Sequence, residues 1–240
     1  MCPQSIFDDE GLFFRIPENQ RKRAAAGLTQ DEFECLNLVI TVPSSILNSP
    51  DSKEILPVSI NIHEGANKWI SSSVSFLDMA NFVKKSMDIG KPIVAVGVDY
   101  RLNIFGYGVL SGGLCANSSF LDHHLALKWA QKHIHGFHRD EQMVTIGGNS
   151  AGSFSTEAHL NTVPESDAKG LFNRAIMQSG TLNGSGPQPP PWGIDLSKKT
   201  ARCLGADVEE GWKEVLEASP AQDVVAAIEK ERFDFFAIYG

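Results

Sequence analysis

The 240 residues carry 21 Lys and Arg against 29 Asp and Glu, a formal charge of −8, with 42% hydrophobic and 21% charged residues. That balance is ordinary for one large domain or two small ones with a substantial core, and the negative charge argues against nucleic acid or an anionic membrane surface as partner. No apolar run approaches the ~20 residues of a membrane span, the N-terminus shows no signal-peptide pattern, and the four cysteines, Cys2, Cys35, Cys115 and Cys203, lack the C-x-x-C spacing of a zinc or thioredoxin-like site.

Residues 1–34 read as irregular and polar, with a basic run at 21–23 taken as solvated surface and an acidic run at 31–34. Leu36 to Val42 and Ile55 to Ile62 are short β-branched apolar runs bounded by Pro43 and Pro57, and predict strands with a turn-rich connection between them. His63-Glu64-Gly65-Ala66-Asn67 and a Ser-rich loop follow. Phe76, Met79, Ala80 and Val83 then recur at helical spacing, predicting a helix over 76–87 stopped near Gly90. Pro92 to Val98 is continuously apolar, as expected of a parallel strand covered on both faces. A Gly-rich loop leads to a helix over 120–134, in which Leu121, Leu125 and Trp129 recur every four residues beside Ala126, Ala130 and Ile134. Asn173 to Met177 predicts a further strand, 184–193 a Pro-rich loop, and the remainder from Asp195 three short amphipathic helices. Strands alternating with helices make an α/β fold with a mostly parallel sheet.

The most informative stretch is Met143 to Gly152, a strand running into Gly148-x-Ser150-x-Gly152 and then into a helix-compatible segment. Serine between glycines at a strand-to-helix turn reads as a nucleophile elbow. The glycines make room for a sharp turn that exposes the Ser150 hydroxyl, and the helix N-terminus offers N–H groups to a developing negative charge.

Several segments together resemble the type-B carboxylesterase family, the cholinesterase-like branch of the α/β-hydrolases. They are Cys35-Leu36-Asn37-Leu38, the strand 57–63 leading into an oxyanion loop, Tyr100-Arg101-Leu102 with Phe105-Gly106, the block from Leu121-Asp122 through Trp129 to Gly152, and Arg174 to Gly180. Their order matches the family to about residue 180 and the match weakens after Gly193. The resemblance implies an α/β-hydrolase fold, with a mostly parallel central sheet and helices on both faces. Residues 1–240 would form a single partial domain without its C-terminal part. It implies hydrolysis of carboxylic esters, with Ser150 as nucleophile and the N–H groups of Gly65, Ala66 and Ala151 as oxyanion donors. It further implies a Cys2–Cys35 disulfide and a place for Trp192 in an acyl pocket, the alternative being a loop Trp that covers the core. The expected partner is a small-molecule ester, and no cofactor or metal is required. Members are often secreted, with which the N-x-Ser/Thr sites at Asn117 and Asn183 are consistent.

The chain departs from the family at several points. Its oxyanion loop reads His63-Glu64-Gly65-Ala66 where His-Gly-Gly-Gly is usual, and Asn149 replaces a common Glu. Phe137-His138-Arg139 stands in place of Phe-Gly-Gly, and the second family disulfide is not evident. A left-handed Ala66 would cost ~1 kcal/mol or more, and a Glu64 carboxylate near an oxyanion would oppose the chemistry unless it faces solvent. His123, His124, His133, His135 and His138 cluster on and after one helix in no common metal pattern, which points to solvated or capping roles. The triad order Ser…Asp/Glu…His leaves only His159 after Ser150, too near to fold back. The acid and base are therefore expected from a C-terminal half outside these residues, in keeping with a fragment or a shortened gene model. Two other readings stand beside the esterase: a non-catalytic cholinesterase-like binding or adhesion protein, and a truncated product without activity.

Overall fold

A computed structural model describes residues 1–4, 27–48, 55–109, 117–137, 139–161, 170–184, 188–207 and 209–231, excepting the side chains of 139–141, 190 and 231. The basic run at 21–23, Cys115 and His138 lie outside them. Five strands form one sheet in the order β1-β3-β2-β4-β5: β1 Leu38–Thr41, β2 Leu56–Ile62, β3 Val94–Val98, β4 Arg139–Asn149 and β5 Arg174–Gln178. Strand β1 runs antiparallel to β3, and the other pairings are parallel. The continuous apolar run of β3 is buried at every residue, as a central strand covered on both faces must be. Strand β5 lies at an edge, with Ile176 and Met177 exposed.

The helices are α1 Ser44–Leu47, α2 Ala80–Asp88, α3 Asn103–Tyr107, α4 Ser118–His133, α5 Ala151–Asn161, α6 Pro190–Cys203, α7 Trp212–Ala218 and α8 Ala221–Glu231. Three boundaries differ from the sequence reading. The connection after β1 contains the short helix α1. Phe76 falls in a 3-10 turn ahead of α2, because the chain kinks at Asp78, whose carboxylate accepts the Ala80 N–H at 2.9 Å and starts the helix there. The Pro-rich stretch expected as loop instead opens α6 at Pro190, since proline at the first helical positions lacks only an N–H that would go unpaired anyway.

A first core gathers the inward residues of β2, β3 and β4 with Ala126, Leu127 and Ala130 of α4. A second joins Ile104 and Tyr107 of α3 to Leu196, Trp212, Leu216, Val224 and Ile228, so the C-terminal helices pack on α3. Helix α4 also lies differently from its apolar periodicity. Leu121 and Leu125 are 61% and 58% exposed, while Asp122 and His123 face inward. An ion pair sets this rotation: Arg101 Nε and Nη2 donate to the Asp122 carboxylate at 2.8 and 2.7 Å, and the Arg101 backbone N–H adds a third bond at 3.0 Å. Bidentate pairing of this kind is strong. Because the Asp122 side chain is 4% exposed and that of Arg101 35%, we expect Asp122→Ala to cost about 3 kcal/mol, the low end for a broken buried pair. The urea midpoint of the variant measures it.

The expected disulfide is present, joining Cys2 to Cys35 across 33 residues. A closure of that length stabilises by ~3–4 kcal/mol in the chain-entropy account.

Candidate active site

Strand β4 ends at Asn149 and α5 begins at Ala151, leaving Ser150 alone at the turn with φ of 48°. Serine avoids this left-handed region. Three bonds hold it there: the Ser150 N–H donates to Gln178 O at 2.9 Å, and the Ser150 carbonyl accepts from Ser153 and Phe154 at 2.9 and 3.1 Å. The flanking glycines are sterically required. A Cβ on Gly148 would lie 2.6 Å from the Ile62 carbonyl oxygen, and one on Gly152 would overlap that same oxygen. The first turn of α5 is thereby pressed against the end of β2, where the loop 63–70 leaves the sheet. Ala151 is buried in that first turn.

The loop after β2 passes through three consecutive left-handed residues, Gly65, Ala66 and Asn67, at φ of 104°, 53° and 61°. Such a run turns successive N–H groups to one side, the arrangement that binds anions. A Cβ at Gly65 would overlap the Trp69 carbonyl oxygen, so this glycine is fixed by a close approach as well as by its φ. Ala66 is exposed, and Ala66→Gly is expected to raise stability by roughly 0.5–1 kcal/mol by relieving its φ, read as a shift in thermal midpoint. His63 Nδ1 lies 2.7 Å from the Glu64 carbonyl oxygen, which requires Nδ1 to carry the proton. Glu64 itself is half-buried.

Behind the loop lies a cluster absent from the sequence reading. His63 stacks on Tyr100 with ring centroids 4.3 Å apart, Tyr100 meets His123 edge-on at 4.4 Å, and His123 meets His159 at 5.5 Å, with Phe120 against both. The Tyr100 hydroxyl donates to His63 O at 2.9 Å, tying the segment just past β3 to the root of the loop that follows β2. His123 is 1% exposed, and among the described residues neither of its ring nitrogens has a hydrogen-bond partner; Nε2 of the half-buried His159 is likewise enclosed without one. The solvated role expected of the histidine run therefore does not hold for His123; it faces inward with Asp122, while His133 and His135 are exposed. Periodicity could not reveal this, because histidine is counted as polar. Among the described residues no group of three or more His, Cys, Asp or Glu could hold a metal ion.

Burial pushes His123 well below its ordinary range, with the charges of His159 and His63 acting in the same direction. Burial also brings His159 from 6.5 to about 4, His124 assisting. For His63 burial lowers the pKa, while Asp99 and the Glu64 carbonyl oppose the shift. A histidine depressed on folding takes up its proton more readily when unfolded, so stability is full above pH 6.5 and falls as the pH drops toward 4. His159 alone should remove about 3 kcal/mol across that window. Urea titrations at intervals between pH 7.5 and 4.5 check this, and the pH slope in His159→Gln should fall by close to one proton.

Trp192 lies in the first turn of α6, half-buried and packed against the second core. Cys203 is half-buried.

A family model described as the carboxylesterase family matches residues 1–239. The chain belongs to the carboxylesterase family. This carboxylesterase-family chain is 32% identical over 241 aligned positions to Lipase 3 of Yarrowia lipolytica, a match that takes in 98% of the chain and 46% of that lipase. It is 35% identical over 177 residues to the acetylcholinesterase of Electrophorus electricus, covering 72% of the chain and 25% of that protein. Among solved structures, the carboxylesterase EST55 of Geobacillus stearothermophilus superposes with a TM-score of 0.71 at 28% identity, over 87% of this chain and 42% of that one. The juvenile hormone esterase of Manduca sexta superposes with a TM-score of 0.75 at 26% identity, over 99% and 42%. The fold is thus part of an α/β-hydrolase fold, and the chain spans less than half the length of these relatives.

Proposed function

We propose that the protein hydrolyses carboxylic esters through an acyl-enzyme formed on Ser150, and that residues 1–240 contribute part of a single α/β-hydrolase domain. The observation that carries this reading is the elbow: Ser150 at φ of 48°, between two glycines that admit no Cβ, on the first turn of α5. Ser150 Oγ adds to the ester carbonyl, its proton passing to a general base, and the tetrahedral oxyanion is received by the N–H groups of Gly65, Ala66 and Ala151. Collapse expels the alcohol, which takes up that proton, and water then releases the carboxylic acid by the same route. Each oxyanion donor is worth ~3–4 kcal/mol to the transition state.

Six of the seven histidines precede the elbow in sequence, and His159 is turned into the buried cluster. The reading therefore takes its proton acceptor from outside these residues. Family membership and the lipase and esterase relatives support ester hydrolysis, with small esters as the substrate class. Trp192, which packs against the second core, would line the acyl pocket from the first turn of α6.

The test is incubation with a fluorophosphonate probe and a short-chain aryl ester, followed by peptide mapping. Covalent mass on the peptide containing Ser150, with ester turnover, supports the reading. A folded protein that takes no label would favour the non-catalytic binding role, which the left-handed Ala66 and the acidic Glu64 also suit.

A further inference from the structure

The residues Met1–Gln4 lie across the structure next to the far end of the oxyanion loop. Gln4 is 3% exposed and its side-chain amide grips one backbone unit of that loop: Nε2 donates to Ile70 O at 3.0 Å, and Oε1 accepts from the Ile70 N–H. The grip has a conformational counterpart, since Ile70 has φ of 83°, a region that β-branched residues avoid. One residue earlier, Pro3 O accepts from Asn103 Nδ2 at 2.9 Å. The Asn103 N–H in turn donates to Asn67 O at 2.6 Å, and the Tyr107 hydroxyl donates to Asn67 Oδ1 at 3.0 Å. Asn67 is the third left-handed residue of the loop. The Gly65 to Ile70 segment is thus held by the same strap at two points, directly at its Ile70 end and through Asn103 at Asn67 within it.

The strap is itself anchored at three points. Cys2 is bonded to Cys35 just before β1. Gln30 exchanges two hydrogen bonds with the Gln4 backbone, both at 2.9 Å. The N-terminal ammonium donates to Thr29 O at 2.8 Å. The Gln4 side chain needs this support, because a lone buried amide would shift with any movement of its backbone.

We propose that the strap Cys2-Pro3-Gln4 is a positioning device for the oxyanion loop, with Gln4 the positioning residue that sets the aim of the Gly65 and Ala66 N–H groups. The inference rests on the reading of those groups as oxyanion donors. Oxyanion stabilisation depends on donors held within a few tenths of an ångström before the reaction begins. Four positive-φ residues in the six from Gly65 to Ile70 would relax toward ordinary backbone once released. Loss of the Gln4 bonds would then lower reactivity at Ser150 without touching the serine or the binding pocket.

The test uses Gln4→Met, which keeps volume and removes both bonds to Ile70. Amide hydrogen exchange at 64–72 and the inactivation kinetics of the fluorophosphonate probe are read on the same protein. The Ile70 amide should exchange about tenfold faster, the worth of one buried hydrogen bond. The maximal inactivation rate should fall about tenfold, with the probe's half-saturating concentration unchanged, because only transition-state contacts are lost. Val83→Ala, at a buried position of α2, serves as a variant of lowered global stability and should leave both quantities unaltered. Unchanged exchange in Gln4→Met overturns the proposal. So does faster exchange with an unchanged inactivation rate, or an equal fall in Val83→Ala. If the native protein takes no label at Ser150, the esterase reading fails and the proposal with it; the exchange data then show separately whether the strap holds the loop.

Discussion

Ser150→Gly is expected to abolish covalent labelling and at the same time stabilise the protein. Removing the proposed nucleophile should lower ester turnover by about 10⁴-fold or more, since the groups of such a site act as a unit. The stability change has the opposite sign because Ser150 is held at φ of 48°. Glycine occupies that region without penalty, while serine loses about 1 kcal/mol or more there. Part of the gain is offset by the greater freedom of glycine in the unfolded chain, leaving roughly 0.5–1 kcal/mol, or a rise of a few degrees in thermal midpoint. Calorimetry and probe labelling of one preparation decide the matter. A Ser150→Gly protein that is less stable than the native chain would show that the elbow is not strained. Retained labelling at any other serine would remove Ser150 from the mechanism.

Gly152→Ala should have the largest effect on the fold. Its new Cβ would overlap the carbonyl oxygen of Ile62 and come within 3.0 Å of that of His63. Neither oxygen can yield easily, because β2 lies in the middle of the sheet, paired with β3 on one side and β4 on the other. Helix α5 must move instead, and it carries Ser150 at its start. We expect a loss of about 3 kcal/mol or more, read as a drop of roughly 6–12 °C in thermal midpoint, with slower labelling of the molecules that remain folded. Gly90→Ala provides the contrast. Gly90 also has a positive φ, at 68°, but a Cβ there meets nothing within 4 Å, so only the backbone cost of ~1 kcal/mol should appear.

Much of the site was legible in the chain because its requirements are local. A strand, a turn too tight for side chains and a helix follow one another in ten residues, and the glycines at 148 and 152 record the close approach directly. The strand periods were equally plain, since a central parallel strand such as Val94–Val98 must be apolar at every position. The left-handed Ala66, an expectation conditional on the loop geometry, is seen at φ of 53°.

What the sequence could not determine are the contacts made across large separations by residues whose types carry no pattern. Leu121 and Leu125 have the spacing of a buried stripe, yet α4 is rotated by the pairing of Asp122 with Arg101, 21 residues earlier. A bidentate ion pair with a buried carboxylate outweighs two leucines that can remain partly covered at the surface. His123 is carried inward by the same rotation and meets Tyr100 and His159 only because distant parts of the chain converge there. Gln4 reaches Ile70 across 66 residues, and one polar residue after a cysteine gives no sign of such a partner. The chain by itself determined the strands and the elbow, through steric and apolar rules that act between neighbours. The tertiary structure alone decided which helix face turns inward and which bonds hold the Gly65 to Ile70 loop, because those outcomes depend on desolvating polar groups against partners that only the assembled fold supplies.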